Sequence, residues 1–383
     1  MDEDRFRAAL RAFESGQATR HVSVESVVAR GRRAARRRRT QRLIVAAAAC
    51  LALFVGAPLA QQLTKRGDNH APNIAVNSSY YSEGAFAVDN VAYVGGKRVR
   101  VPGSIQSLRY SAAGVVIMWG ESPDTDNASS EHYTLVTPRG AMSRIPVITK
   151  DQVVGVDATS PYFSYLLPFD GSHDRWNVIV FDLRSLKEVS RVVVQGNKSS
   201  DGFTAPLIAV GKDVVWVQFD KGVTQVEWRT GKTRRVSGSL SSGEVESGRD
   251  GITSRDGSYD VTNLRTGGVV GRVSALHLKR GPLGSHGRLS PHGRFVFFMA
   301  PQIPPGESSR RSLIAGLAGD QPLPLKGRVV DAGWTPSDGV QVLRPNGRVE
   351  ICDAQTAACT DTGIRYNLSN NSVVKMGGNQ YQS

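Results

Sequence analysis

VGKDVVWVQF (210–219) and, just after it, VEWRTGKTRRV (226–236) set the fold of this chain. The first reads as a strand, a Gly-Lys-Asp turn and a second strand rich in Val, Trp and Phe. The second reads as a strand, a polar Arg-Thr-Gly turn and a shorter strand. Short runs of β-branched and aromatic residues bounded by Gly, Asn and Asp are the mark of antiparallel strands. Together the two elements describe four strands in a meander.

Both elements recur. Copies of the first are YSAAGVVIMW (110–119), TSPYFSYLL (159–167), SPHGRFVFF (290–298) and TPSDGVQVL (335–343), with a poorer copy at GRDGITS (248–254) and a further one at LSNNSVVKM (368–376). Copies of the second are YVGGKRVRV (93–101), VTPRGAM (136–142), FDLRSLKEV (181–189), TNLRTGGVV (262–270) and VEICDAQTAAC (349–359), with a degenerate one at IAGLAGDQPL (314–323). Their turn centres, from Gly95 to Ala354, average about 43 residues apart, the period of a four-stranded propeller blade. One longer step contains the Pro-, Gly- and Ser-rich insertion Pro301–Ser309.

The chain begins with the second element and ends with the first, so neither end makes a blade alone. The expectation is an all-β propeller over 90–377 with seven blades, six or eight being the alternatives. N-terminal outer strands would pair with C-terminal inner strands and close the ring. Closure removes the unpaired strand edges on which chains aggregate.

Before the repeats, Arg36, Arg37, Arg38, Arg39 and Arg42 run into Leu43–Ala60, eighteen residues without a charge. At about 1.5 Å per residue this helix would be roughly 27 Å long, enough for a hydrocarbon core of about 30 Å. Basic residues stay on the cytoplasmic side. The expected plan is a cytoplasmic leader (1–42), a transmembrane helix (43–62), a polar tether (63–89), the extracytoplasmic propeller and a tail (378–383). A cleaved signal peptide is the rival reading, but the leader is long and Pro58 sits in the candidate cleavage site. The expected localisation is the cell membrane, single-pass, with the N-terminus inside and anionic lipid against the arginines.

The net charge of +14 invites a nucleic-acid reading. The leader holds twelve Arg and five acidic residues, so half of that charge lies in its first 42 positions. What remains is scattered, and no nucleic-acid partner is expected. Of three cysteines, Cys50 falls in the apolar stretch. Cys352 and Cys359 flank a turn between outer strands, and an even count outside the cell favours a disulfide. No His or Cys spacing suits a metal, and no cofactor motif is present.

SPHGRFVFF resembles the SPDG-type turn of Tol-system propeller repeats and their WD-repeat-like relatives, with His292 where Asp is usual. FDLRSL, WRTGK and NLRTGG are similar to the D-L-x-T-G turns of the same propellers. The layout also resembles single-pass bacterial membrane proteins carrying a secreted propeller. The resemblance covers about 290 residues and implies a fold; such folds serve many functions.

Enzyme chemistry would need paired carboxylates or a nucleophile with its base. Asp124 and Asp126, Asp170, His173 and Asp174, and His286 and His292 are the candidates, and each falls in a polar loop where solvated charge is ordinary. Catalytic assignment is therefore left empty. The favoured function is binding of a protein or cell-envelope ligand, with Asp170, His173, Asp174, Arg175 and Trp176 and the insertion up to Arg311 as contact surfaces. A transmembrane sensor signalling through the leader, and a propeller hydrolase or lyase on envelope substrates, are the alternatives.

Overall fold

The computed structural model describes residues 74–122, 130–149, 152–198, 205–236, 240, 250–255, 258–263, 266, 268–274, 287–299, 312–317, 321–367 and 373–378. The leader arginines, Leu43–Ala60 and the insertion at 301–311 lie outside these residues, as do Asp124, Asp126 and His286. Among the described residues no helix is long and apolar enough to cross a membrane.

Helix α1 (Ile74–Glu83) leads into β1 (Ala85–Val88), β2 (Val91–Val94) and β3 (Lys97–Arg100). Sheet 1 follows as β4 (Ser104–Ser111), β5 (Gly114–Gly120), β6 (Glu131–Val136) and β7 (Met142–Thr149). Sheet 2 is β8 (Gly155–Val156), β9 (Tyr162–Pro168), β10 (Arg175–Asp182) and β11 (Lys187–Gln195). Sheet 3 is β12 (Leu207–Val210), β13 (Val214–Phe219), β14 (Gly222–Glu227) and β15 (Lys232–Val236).

Sheet 4 shows three strands among the described residues: β16 (Asp250–Arg255), β17 (Ser258–Asn263) and β18 (Val269–Ser274). Sheet 5 is β19 (Arg288–Leu289), β20 (Phe295–Phe298), β21 (Leu313–Gly316) and β22 (Leu323–Pro324). Sheet 6 is β23 (Asp331–Trp334), β24 (Val340–Leu343), β25 (Arg348–Cys352) and β26 (Cys359–Arg365). The last strand, β27 (Val374–Met376), pairs with β1 and makes sheet 7 in the order β27-β1-β2-β3.

All these pairings are antiparallel, and in every sheet but the seventh they join strands consecutive in the chain, so those sheets are meanders. Innermost strands of adjacent sheets touch: β4 with β8, β8 with β12, β23 with β27, and β27 with β4. Sheets 5 and 6 are joined by the Trp334 indole N–H, which donates to the Arg288 carbonyl at 3.2 Å, and β16 touches β19. These contacts link six of the seven junctions of a ring; the junction between sheets 3 and 4 runs through 241–249, outside the described residues. The arrangement is a seven-sheet β-propeller.

The core is divided into wedges between sheets. Tyr133 and Ile145 of sheet 1 pack on Phe163 and Ile179 of sheet 2, and Trp176 and Val180 of sheet 2 pack on Val215 and Val226 of sheet 3. Inner strands such as β4 and β12 are therefore buried on both faces, while the fourth strands alternate or are mostly exposed, as in β15.

The repeat reading and the observed sheets differ at three places. Closure takes three N-terminal strands and one C-terminal strand, not two and two. AFAV (85–88), within the segment expected to be tether, supplies β1, because Asp89 at φ 55 turns the chain and lets β1 and β2 pair as a hairpin. Helix α1 also lies within that expected tether, and GRDGITS contributes one strand, β16, instead of a strand–turn–strand.

Closure concentrates on Gly377 and Gly378. The Gly377 N–H donates to the Ala85 carbonyl at 2.8 Å, and its own carbonyl accepts the Trp334 N–H at 3.0 Å. The Gly378 N–H donates to the Leu108 carbonyl at 2.9 Å. Sheets 7, 6 and 1 are thus tied by two residues. A Cβ on Gly377 would lie 2.1 Å from the Tyr110 hydroxyl, so no larger residue fits. That hydroxyl accepts the Ala85 N–H at 2.9 Å.

The C-terminal carbonyls of α1, which have no partner inside the helix, are met by the ring: the Ser337 hydroxyl donates to the Tyr81 carbonyl at 2.6 Å and the Gln341 amide to the Glu83 carbonyl at 2.9 Å. Tyr80, 1% exposed, packs edge-on against Tyr110. On sheet 6, Cys352 and Cys359 face each other across β25 and β26 with sulfurs 2.06 Å apart, the disulfide expected from sequence.

A chain ending at Asn371 lacks β27 and leaves β1 with a bare edge. It is expected to lose its single cooperative thermal transition and to scatter light at micromolar concentration. A chain ending at Gly378 should melt as the full chain does.

Candidate functional site

In every meander the first-to-second and third-to-fourth turns share one face, and the second-to-third turns share the other with the links between sheets. Most of the loop chosen from sequence falls on this linking face. Phe169–Asp174 joins β9 to β10, with Asp170 and Gly171 at φ 49 and 70 turning its tip. The Ser172 hydroxyl accepts the Arg175 N–H at 3.1 Å, and the Phe169 N–H donates to the Arg175 carbonyl at 2.9 Å. Arg175 then stacks its guanidinium over the Phe169 ring, 4.1 Å from the centroid. Asp170, His173, Asp174 and Arg175 are exposed.

Trp176 is a correction. It is 1% exposed and packs in the wedge between sheets 2 and 3, where its indole N–H donates to the Gly196 carbonyl at 3.0 Å. Strand alternation sends Arg175 out and Trp176 in. His292 is likewise structural: its N–H and its Nδ1 lie 3.0 and 3.1 Å from Oδ1 of Asp338, which is 2% exposed, while Arg294 Nε reaches Oδ2 at 2.7 Å. This clamp joins the first turns of sheets 5 and 6.

Of the loop residues, Asp174 reaches a cavity. A cleft of about 260 Å³ opens between sheets 2 and 3, walled by Asp174, Asn197, Asp220, Lys221 and Arg235, with Phe219 at its base. The Asp174 carbonyl accepts the Gly196 N–H at 2.8 Å, and the Asp220 N–H donates to the Asn197 carbonyl at 3.0 Å. The Asn197 amide also reaches the Asp220 carboxylate at 3.4 Å. The two-residue turn Asp220–Lys221 and the link after β11 are therefore one hydrogen-bonded unit. Gly196 makes their approach possible, since a Cβ there would lie 2.4 Å from the Phe219 ring.

Chemically the cleft offers two carboxylates, an ammonium, a guanidinium and an amide over an aromatic floor. It suits a ligand with both charges, such as a peptide segment. Asp220, Lys221 and Arg235 were not singled out in the sequence, yet they stand about one repeat beyond the FDGSHDR loop, where neighbouring sheets bring equivalent positions together.

On the opposite face a cavity of about 550 Å³ lies among Glu83, Arg294, Asp338 and Asp353. Burial raises the Glu83 carboxyl above its ordinary range. Glu350, Cys352 and Cys359 offer ligand atoms within 4.8 Å of one another, but the sulfurs are bonded to each other and Glu350 is engaged by Arg344, so this is not a metal centre.

No family model and no curated protein matches the sequence. Among solved structures, a chain titled "Crystal Structure of Mitotic Checkpoint Complex" aligns at TM-score 0.40 and 11% identity over 74% of this chain and 81% of that one. TolB from Acinetobacter baumannii aligns at 0.34 and 12%, over 72% and 62%. A putative 6-phosphogluconolactonase from Bacteroides fragilis aligns at 0.40 and 11%, over 76% and 97%. Similarity at this level carries no functional argument; the sheet order itself defines the class as a β-propeller.

Gly196→Ala pushes a methyl group into Phe219 and is expected to destabilise the chain by about 1–3 kcal/mol, the usual cost of overpacking. Denaturant unfolding reads this, and adding Phe219→Leu should recover part of the loss.

Glu83 binds more protons folded than unfolded between its unfolded and its raised folded pKa, so stability falls as pH rises through that window. Glu83→Gln is therefore expected to melt higher than the wild type at pH 7. The difference should close below the ordinary carboxylate value of 4.5.

Proposed function

We propose that this chain is a membrane-anchored, extracytoplasmic β-propeller that binds a protein or envelope ligand through its linking face, with the cleft between sheets 2 and 3 as the gripping point. The observation that carries the reading is the convergence of Asp174, Asn197, Asp220, Lys221 and Arg235 from two sheets and a link onto one rigid floor. A ring whose loops decorate a fixed frame loses little conformational entropy on binding, and affinity benefits from such preorganisation.

The anchoring half rests on the charge pattern around Leu43–Ala60. It is supported by the Cys352–Cys359 bond, which suits an oxidising compartment. Outside the cell the bonded pair is the stable state, and a short closed loop contributes about 2–3 kcal/mol at most in the chain-entropy account.

One experiment tests both halves. Lys221→Cys is treated in intact cells with a membrane-impermeant, photoactivatable maleimide. The expected result is labelling from outside and, on illumination, a discrete protein or glycan adduct that an Arg98→Cys control on β3 does not form. No labelling of intact cells overturns the outside placement. Labelling with the same adducts as the control overturns the cleft as the binding point.

A further inference from the structure

We propose that the outer rim of sheet 6 carries a second site, a cationic cavity for a phosphate-bearing ligand. The cavity, about 820 Å³, is lined by Lys326 and Arg328 from the link between sheets 5 and 6, by Arg344 after β24, and by Arg348, Glu350 and Cys359 from β25 and β26. Its floor is fixed. Arg344, 9% exposed, places Nε and Nη2 at 2.9 and 2.7 Å from one oxygen of Glu350, and its Nη1 donates to the Arg328 carbonyl at 3.2 Å. Nη2 also lies 3.7 Å from the Cys359 sulfur, so the disulfide backs the guanidinium.

The balance of charge is uneven. Arg348 lies 3.4 Å from Glu350 and 2.9 Å from Asp361, and Arg365 grips Asp361 with both terminal nitrogens. Arg365, the Gly363 N–H and Arg348 hold the Asp361 carboxyl far below its usual range, so it stays ionised. Four cations (Lys326, Arg328, Arg344, Arg348) thus line the cavity against one carboxylate, Glu350, an excess of three positive charges, while Arg365 and Asp361 neutralise each other beside it. Neither the Lys326 ammonium nor the Arg328 guanidinium has a partner among the described residues.

Gathering like charges around one concavity is unfavourable until an anion enters it. Arginine forks and a lysine ammonium together match the oxygens of a multivalent phosphate. The cavity exceeds a single phosphate, which favours a chain of them or a phosphate attached to a larger body. A soluble polyphosphate and a lipid headgroup both present this chemistry. The inference is independent of the cleft between sheets 2 and 3.

The full chain in neutral detergent is titrated with tripolyphosphate and followed by hydrogen exchange, so that anions held by the leader arginines do not obscure the local signal. Protection is expected over 326–348, weakening as salt rises. Lys326→Ala with Arg328→Ala should shift the protection midpoint to about tenfold or more higher tripolyphosphate, since hydrogen bonds to charged groups are among the strong ones. The cleft pair Lys221→Ala with Arg235→Ala should leave it unchanged. No protection over 326–348 in the wild type, or the same midpoint after the Lys326 and Arg328 changes, overturns the proposal. Adding phosphatidylglycerol to the micelles separates the sources: competition with tripolyphosphate identifies a lipid headgroup, and an unchanged midpoint identifies a soluble ligand.

Discussion

The pairing of β27 with β1 is the constraint on which the ring depends. Three residue pairs hold it, Phe86 with Met376, Ala87 with Lys375 and Val88 with Val374. Three pairs are few, yet the residues just beyond them bind to the sheets on either side. Gly377 bonds to Ala85 and Trp334, and Gly378 to Leu108. Each of those bonds requires its neighbours to be in place, so the closing strand docks onto a nearly finished ring. Such pairing is long in sequence and late in geometry, and it brings a loop-closure cost that the wedges of apolar side chains must offset.

Closure also explains why the cleft between sheets 2 and 3 can be rigid. In a closed ring each wedge is compressed between neighbours, and the spacing of adjacent sheets is set by what fills it. Between sheets 2 and 3 that filling is Trp176, Val180, Val215, Val226 and Phe219. Phe219 reaches the linking face, where Gly196 lets its ring serve as the floor of an opening, and the Trp176 indole holds Gly196 from beneath through its carbonyl. The same contacts that keep two sheets together therefore shape the surface a ligand would meet. Binding and stability share residues here, and their separate effects are read by changing Lys221 or Arg235, which belong only to the wall.

Much of this was legible in the sequence, and the exceptions have local causes. The period showed because a polar turn, such as Arg229-Thr230-Gly231, recurs between the third and fourth strands of successive sheets. β1 was missed because AFAV is four residues of mostly small side chains next to a polar segment, and its partner β27 lies at the other end of the chain. GRDGITS misled because its Asp-Gly pair is a turn signal in isolation, whereas Asp250 and Gly251 pair with Asn263 and Thr262 in β16. Among site residues, loop character was visible at Asp170, His173 and Asp174, but depth was not. Trp176 ends the long polar stretch FDGSHDRW, and nothing local marks that the loop has already given way to β10 there. Which residues from the next repeat would stand opposite depended on the ring, and that information lies between repeats.

The basic excess takes on a different meaning once the strands are placed. In the described domain many cations sit on the fourth strands: Lys97, Arg98 and Arg100 on β3, Arg144 on β7, Lys187 and Arg191 on β11, Lys232, Arg234 and Arg235 on β15, and Arg365 on β26. Those strands are the free edges of the sheets, and charge there discourages edge-to-edge pairing between molecules. A positive domain is thus partly the consequence of protecting five of these edges with the same kind of residue, and that part needs no polyanion to explain it. Lys326 and Arg328 do not fit that account, because they lie on a link between sheets, over the guanidinium of Arg344. They are exposed, but they are not on an edge strand, and they line a cavity whose only lining carboxylate among the described residues, Glu350, is already engaged. The two cations in excess of the structural need are therefore those that any ligand of that cavity would meet first.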